Sequence, residues 1–244
     1  YALGANTTGG SNSAVGLKAL SANTTGQYNS ALGTFSLNDN TTGQANSALG
    51  YKALENNTSG SNNTAFGYEA LSDNTTGIGN TSSGMYSLYE NTTGDYNTAS
   101  GYEALRYNTT GDYNTASGYQ AGRNITTGSN NTAMGYEAGD VITTGSNNTI
   151  IGYQADPSAN NASNQIVIGK GATGQGDNYA VIGNADVTRV YAAQDGAAVL
   201  YANATINSSD IRLKDFIKPV DLGLQFINKL NPVSYLKISK SQYK

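Results

Sequence analysis

The stretch SGYEALRYNTTGDYNTASGY, residues 100–119, contains the dipeptide Gly-Tyr twice, and the two copies lie seventeen residues apart. The same interval separates identical residues along most of the chain, which indicates a repeat architecture with one structural unit per period. Three rows recur at this spacing: Gly16, Gly33, Gly50, Gly67, Gly84, Gly101, Gly118, Gly135, Gly152 and Gly169; Gly9, Gly26, Gly43, Gly60, Gly77, Gly94, Gly111, Gly128 and Gly145; and Asn12, Asn29, Asn46, Asn63, Asn80, Asn97, Asn114, Asn131 and Asn148.

Two folds compete for the repeating unit, which is N-[ST]-A-x-G-Y-x-A-L-x-x-N-T-T-G-x-x. A helical repeat is disfavoured, because glycine, threonine and asparagine fill most of the unit and have poor helix propensity. In a β-solenoid, TAxGYxAL supplies short extended segments, and NTTG supplies a tight turn whose glycine takes a positive φ. Asparagines of successive coils then stack at about 4.8 Å in a ladder of side-chain amides. The sequence therefore predicts an all-β chain, a parallel β-solenoid or β-roll of seventeen-residue coils.

The apolar content of each coil is small. It comprises one alanine, one variable residue such as Val15 or Phe66, and an Ala-Leu pair such as Ala53 and Leu54. A single stack of such coils would bury too little apolar surface to be stable. We therefore predict that several chains share one core, and a homotrimer is the natural closed arrangement for a fibre.

The repeat changes towards the C-terminus. Ile125 and Ile142 replace the asparagine of the NTTG turn, and Gly122 and Gly139 replace the leucine of the Ala-Leu pair. The glycine row after residue 169 resumes fourteen residues later, which predicts that the solenoid narrows near its end.

Three segments follow from these changes. Residues 1–185 are the predicted solenoid shaft, residues 186–207 a connector or neck, and residues 208–244 a short C-terminal segment with both helix and strand. The sequence begins at Tyr1 in the middle of a repeat, which predicts that it is part of a longer chain.

The composition excludes several classes of function. The chain has no cysteine and no histidine, so it has no disulfide framework, none of the usual zinc sites and no Ser-His-Asp triad. A net charge of −4 argues against a nucleic-acid partner, and no apolar run is long enough to insert into a membrane. Acidic residues such as Asp95, Asp112 and Glu103 repeat as coil positions and do not converge as a glycosidase pair. We expect no cofactor and no bound metal.

Tyrosine also recurs, in two sets. The first set follows the glycine of GY, and its rings could bind sugars or pack between coils or chains; packing is favoured. The second set, Tyr28, Tyr96 and Tyr113, follows the NTTG glycine and is the better candidate for exposure. Neither set identifies a receptor-binding residue. The first set is Tyr51, Tyr68, Tyr102, Tyr119, Tyr136 and Tyr153.

The centre of the unit, SALGYKAL at 47–54 or TAMGYEAG at 132–139, resembles the Ala-Ile-Gly-x-x-Ala repeats of trimeric autotransporter adhesin heads. Those heads are left-handed parallel β-rolls that form trimers. Their repeats run near fourteen residues, and the extra residues here fall at the NTTG turn. The resemblance covers roughly residues 1–185 and implies a trimeric β-roll.

The stretch SSDIRLKDFIKPVDLGLQFINKLNPVSYLKI, residues 208–238, resembles the start of the intramolecular chaperone domain of endosialidase-type phage tailspikes and fibres. In that family a Ser-Asp-x-Arg-Leu-Lys motif opens the domain, and a helix and a Leu-x-Pro-Val-x-Tyr strand follow. The resemblance implies that the segment assists trimer folding and, as in many members, is cut off at the motif serine. The matching residues are Ser209, Asp210, Arg212, Leu213, Lys214, Leu230, Pro232, Val233 and Tyr235.

By this resemblance Ser209 is the nucleophile, Lys214 is its activator, and the peptide bond between Ser208 and Ser209 is the one that is cut. The chemistry does not need histidine, because a lysine with a depressed pKa can take the proton of a serine. The residues alone favour another role for Ser209, the N-cap of a helix, with Asp210 stabilised by the helix dipole. Both interpretations stay open at the level of the sequence.

The sequence thus predicts a structural protein and, apart from a single self-cleavage, no enzyme. The expected function is that of a homotrimeric viral tail fibre or spike of a bacteriophage, located on the virion. Its expected partner is a host cell-surface receptor, for which a glycan is one candidate. The alternatives are a bacterial trimeric surface adhesin and a self-processing enzyme. An adhesin predicts a membrane anchor in the rest of the gene, whereas a fibre predicts a complete chaperone.

Overall fold

Eleven strands of three residues each lie side by side in one parallel sheet, in the order in which they occur along the chain. The computed structural model describes residues 1–190, which form one unit and contain no helix, so no helix among them could cross a membrane. The strands are β1 Ser13–Val15, β2 Ser30–Leu32, β3 Ser47–Leu49, β4 Thr64–Phe66, β5 Thr81–Ser83, β6 Thr98–Ser100, β7 Thr115–Ser117, β8 Thr132–Met134, β9 Thr149–Ile151, β10 Ile166–Ile168 and β11 Ala180–Ile182.

The strand register follows the sequence repeat. Ala31 pairs with Ala14 in the preceding coil and with Ala48 in the following coil, and the same seventeen-residue step continues to β10. The step from β10 to β11 is fourteen residues, since Ile166 pairs with Ala180. The predicted all-β solenoid of seventeen-residue coils is therefore confirmed.

The segment GYxAL, which we predicted to be extended, is a turn. After β6, φ is positive at Gly101, Glu103 and Leu105, with values of 138°, 53° and 51°. The amide of Glu103 donates to the carbonyl of Met85 in the preceding coil at 3.0 Å, and that of Leu105 donates to Ala121 in the following coil at 3.1 Å. The prediction was wrong because left-handed conformations of ordinary residues are uncommon and costly in isolation. Here hydrogen bonds between coils offset that cost.

The glycine of the NTTG turn is required for a reason other than the predicted one. None of these glycines in residues 1–190 has a positive φ. A Cβ added at Gly43 would lie 2.3 Å from Oδ1 of Asn40 and 2.3 Å from the carbonyl oxygen of Gly60. Glycine stands here because its own turn and the next coil already fill the space. The positive φ belongs to the glycine of GY instead.

The turn asparagines form the predicted ladder of side-chain amides. Nδ2 of Asn74 donates to Oδ1 of Asn57 at 2.7 Å and to the carbonyl oxygen of Gly77 at 3.0 Å, and Asn91 bonds to Asn74 in the same way. Beyond the first member the asparagines are buried, so these bonds satisfy amides that would otherwise be costly to bury. The ladder consists of Asn6, Asn23, Asn40, Asn57, Asn74, Asn91 and Asn108.

The other asparagine row bonds mainly to the backbone. Nδ2 of Asn97 donates to the carbonyl oxygen of Gly111 at 2.8 Å, and Oδ1 of Asn97 accepts from the amide of Asn114 at 2.9 Å. Gln165 continues this row, because its amide donates to Oδ1 of Asn148 at 3.0 Å. Each asparagine of the row thereby fastens its own coil to the next one.

The interior of each regular coil is filled by the middle residue of the strand and by the Ala-Leu pair. Ala65, Ala70 and Leu71 are all fully buried within the single chain. Phe66, which the sequence predicts to be one of the apolar residues of the core, lies outside and is 45% exposed. That assignment was wrong because successive strand residues point to opposite faces, so the first and third residues face outward when the second faces inward.

Two coils fill the same interior with different residues. In these coils Gly122 and Gly139 stand at the leucine position, and Ile125 and Ile142 stand at the turn asparagine position. A Cβ on Gly122 would lie 3.1 Å from Cδ1 of Ile125, so the isoleucine occupies the space that leucine fills elsewhere. Because isoleucine donates no hydrogen bond, Oδ1 of Asn108 is left buried without a partner at the end of the ladder. The two substitutions are therefore coupled.

The predicted helix and strand of residues 208–244 lie outside the described residues, as does most of the predicted connector at 186–207. The described part of the connector, residues 186–190, contains no strand.

Candidate functional site: the exposed strand face

The outward face of the sheet carries two columns of side chains, the first and third residues of β1 to β11, which we call the strand face. The first column is serine or threonine from β1 to β9, and ends with Ile166 and Ala180. The second column is apolar except for three successive serines. In order, it is Val15, Leu32, Leu49, Phe66, Ser83, Ser100, Ser117, Met134, Ile151, Ile168 and Ile182.

Six of the eight apolar members of the second column are exposed in the single chain, and Ile151 and Ile168 are partly buried. Val15 is 63% exposed, and Leu49 is 46% exposed. At the N-terminal end Val15, Leu32, Leu49 and Phe66 line a groove of about 400 Å³. Nearer the C-terminus Met134 lies in the same column and is also exposed. An apolar column of this length on the surface of a solenoid is typical of an interaction surface.

The strand face contains no charged residue in β1 to β11. Depletion of charge is a property of the buried centre of protein interfaces. The sequence alone does not predict this face, because the apolar character of the third strand residue favours the interior. The alternation of three positions, hydroxyl, alanine and variable residue, was the signal that could have separated the two faces.

The tyrosines of the GY dipeptides stack on one another between coils. Ring centroids lie 5.2 Å apart for Tyr102 and Tyr119, and 5.0 Å apart for Tyr119 and Tyr136 and for Tyr136 and Tyr153. The predicted packing of this row between coils is confirmed. Because each inner ring has a ring on both faces, these faces are not free to stack on a sugar.

The second tyrosine set is the more exposed one, as predicted. Tyr28 is 63% exposed, and Tyr113 and Tyr96 are exposed as well. Tyr96 and Tyr113 stack with their centroids 5.2 Å apart, and the ring of Tyr96 lies over Gly79, where an added Cβ would be 2.7 Å from the ring. One face of the Tyr96 ring therefore packs on Tyr113 and the other packs on Gly79.

An ion cluster surrounds Glu103, which is buried. Its carboxylate accepts hydrogen bonds from Arg106 and from Nε2 of Gln120, the latter at 2.6 Å, and forms an ion pair with Nε of Arg123 at 2.9 Å. Burial alone would raise the pKa of Glu103, but the hydrogen bond from Gln120 and the two guanidinium groups lower it below its usual value. The Arg106 guanidinium also packs 5.2 Å from the ring centre of Tyr107. Through these contacts the cluster links two successive coils.

Asp95 and Asp112 occupy the same position in successive coils, and Asp140 and Asp156 interact farther along the chain. Oδ1 of Asp95 accepts from the amide of Ile78, and Oδ1 of Asp112 accepts from the amide of Asp95, both at 2.7 Å. Burial and the charge of Asp140 raise the pKa of Asp156 to about 6. Within residues 1–190 no group of three acidic side chains is placed to hold a metal ion.

The residues predicted for self-cleavage, Ser209 and Lys214, lie outside the described residues, as does the bond between Ser208 and Ser209. Their roles stay predictions from the sequence.

The fold and the surface together define a parallel β-solenoid with a closed interior in each coil and an outward strand face that has one column of mainly hydroxyl residues and one of mainly apolar residues. Comparisons with models of protein families, with curated proteins and with solved structures found no match.

Proposed function

We propose that this chain is the shaft of a homotrimeric bacteriophage fibre or spike, which attaches the virion to the surface of its host. The role is structural, and no catalytic turnover of an external substrate is involved. The expected partner beyond the trimer is a cell-surface receptor, with a glycan as one candidate.

The single observation that carries the proposal is the apolar column of the strand face. The interior of each coil is filled by its own alanine and leucine, so this column lies outside that interior and can pack against other chains. Its two apolar stretches, β1 to β4 and β8 to β11, lie at both ends of the stack, which suits a contact along the length of a rod and does not suit a compact pocket for a small substrate. Three rods that share such a face bury it and form a closed, stiff shaft.

The C-terminal segment adds a second, independent argument. Its Ser-Asp-x-Arg-Leu-Lys stretch, Ser209 to Lys214, resembles the start of the intramolecular chaperone of phage tailspikes and fibres. A chaperone of that kind solves a problem of this fold, because parallel strands from repeats with similar sequences can pair out of register. By this argument the bond between Ser208 and Ser209 is cut once the trimer has formed.

A bacterial trimeric surface adhesin is the second candidate. The resemblance of the unit, for example SALGYKAL at 47–54, to adhesin head repeats favours it. The two candidates differ in the rest of the gene, where the adhesin needs a membrane anchor and the fibre needs the remainder of a chaperone.

The experiment is the intact denatured mass of the full-length gene product beside its Ser209→Ala variant. We expect the parent polypeptide to end at Ser208 and the variant to remain uncut. Lys214→Gln tests the activator and should slow the cut without changing where it falls. Uncut parent chains would contradict the self-cleaving chaperone and leave Ser209 as a helix cap.

A further inference from the structure

Apolar residues and serines follow a definite order along the second column of the strand face. Its second column is apolar over β1 to β4, serine over β5 to β7, and apolar again over β8 to β11. We infer that this face packs against the same face of other copies of the chain, parallel and in register, with the three serine coils at the same height. The inference rests on the proposed self-association and adds where and how the copies meet.

The length and period of the column identify the occupant as a second copy. A partner that covers the column must present complementary groups at the strand spacing over eleven coils, and another solenoid of this chain has that repeat by construction. Eight of the eleven positions are apolar. Six of them are about half exposed, and Ile151 and Ile168 are partly buried. Together they amount to roughly 500–700 Å² per chain, near the lower end of the area that a stable interface buries on each partner.

The serine segment sets the register between copies. In the aligned arrangement Ser83, Ser100 and Ser117 face hydroxyl groups, and the apolar coils on both sides face apolar coils. A shift by one coil would place Phe66 or Met134 against a serine and would bury a hydroxyl group without a partner. The interruption therefore disfavours every shifted pairing.

The first column selects the parallel direction. The second column looks nearly the same when read backwards, because four apolar coils lie on each side of the serines. In an antiparallel pair centred on Ser100, β10 would meet β2, and the exposed Ile166 would face Ser30. In the parallel arrangement the β10 strands of the copies lie at the same height, and both outward residues of β10, Ile166 and Ile168, are isoleucines, so an apolar group is buried against an apolar group.

Single cysteines test this arrangement cleanly, because the chain contains no cysteine of its own. Ser83→Cys and Ser117→Cys are made in the full chain, with Thr93→Cys, an exposed turn position, as the control. Each variant alone, and the mixture of the first two, is treated with a short bismaleimide that bridges a gap of several ångström. Denaturing gels measure the links, and light scattering measures the mass of each sample.

We expect Ser83→Cys alone and Ser117→Cys alone to form linked dimers, and Thr93→Cys to stay unlinked at the same protein concentration. Links that appear only in the mixture would overturn the parallel direction. Links confined to Thr93→Cys in an assembled sample would overturn the strand face while leaving the proposed trimer intact. Unlinked single chains would overturn both the face and the trimer.

Leu49→Asp provides a second readout that does not depend on chemistry at cysteine. Leu49 is exposed, so the charge does not enter the interior of the coil. We expect a loss of assembly, with the mass falling to that of one chain, whereas Thr93→Asp should leave the mass unchanged. An assembled Leu49→Asp chain would contradict the inference.

Discussion

Two regions of the solenoid enclose the same interior with different chemistry. In the asparagine coils, whose turns begin at Asn6 through Asn108, a leucine fills the interior beside a ladder of amides. In the isoleucine coils, which contain Ile125 and Ile142, glycine replaces the leucine and the isoleucine fills its space. The difference shows that the fold requires a filled interior and satisfied amides, and that no single residue type at either position is essential.

The junction between the two regions contains a polar atom that is buried without a hydrogen bond. The ladder ends at Asn108, whose Oδ1 is buried without a donor, because the next turn begins with Ile125. One unsatisfied buried acceptor costs about 1–3 kcal/mol. A ladder that runs continuously has this defect once, at its end, and each interruption would add another.

Single substitutions that convert one position of an isoleucine coil to the residue of an asparagine coil should have the largest effect on stability. Gly122→Leu alone places a side chain against Ile125, and Ile125→Asn alone leaves a cavity; each should lower the free energy of unfolding by roughly 3–4 kcal/mol. The double variant rebuilds an asparagine coil. It gives Asn108 a donor and moves the unpartnered acceptor to the introduced asparagine, so it should lie within about 1 kcal/mol of the parent.

Chemical denaturation of the parent, the two single variants and the double variant measures this coupling. Thr127→Ala, in the same coil but on its exposed surface, is the control and should change stability by less than about 0.5 kcal/mol. Losses that simply add in the double variant would show that the two positions are independent.

Removal of one ladder asparagine should have the next largest effect. Asn74→Ala leaves Oδ1 of Asn57 buried without a donor and should cost about 2–4 kcal/mol. Asn6→Ala is the matched control at the exposed first position of the ladder. It should cost less than about 1 kcal/mol, because Asn23 keeps its bond to the carbonyl of Gly26. Equal midpoints of thermal unfolding for the two variants would contradict the ladder as a source of stability.

The smallest expected effect is a pH dependence that arises next to the isoleucine coils, at Asp156 in the coil that follows Ile142. The pKa of Asp156 is raised to about 6 in the folded chain, by burial and by the charge of Asp140. A raised pKa means that the fold favours the protonated form, so its stabilising contribution is full below about pH 4 and is lost as the pH rises through about 6.

Thermal unfolding between pH 4 and pH 7 checks this sign. We expect the midpoint to fall by a few degrees over that range through Asp156. Asp156→Asn should flatten the dependence, whereas Asp95→Asn, a carboxylate at the surface of the asparagine coils, should leave it in place. A midpoint that rises with pH in the parent, and loses this rise in Asp156→Asn, would contradict the predicted sign.

The period of seventeen, the parallel sheet and the amide ladder were all predictable, because identical residues at a fixed interval must stack when each coil pairs with the next. The conformation of GYxAL was not, since Glu103 and Leu105 take left-handed conformations that only the bonds to neighbouring coils make acceptable. The orientation of the strand was missed as well. The apolar character of Phe66 favours an interior position, and the signal that it faces outward is the hydroxyl residue two positions earlier, Thr64, whose counterpart recurs from β1 to β9.

The central claim is that exposed strand faces bring three chains together. Light scattering of the purified chain, referenced to its denatured mass, tests it most directly. For the chain of 25.3 kDa the account predicts a particle of three times that mass. A particle with the mass of one chain would contradict it and would leave the apolar column without a partner of its own kind.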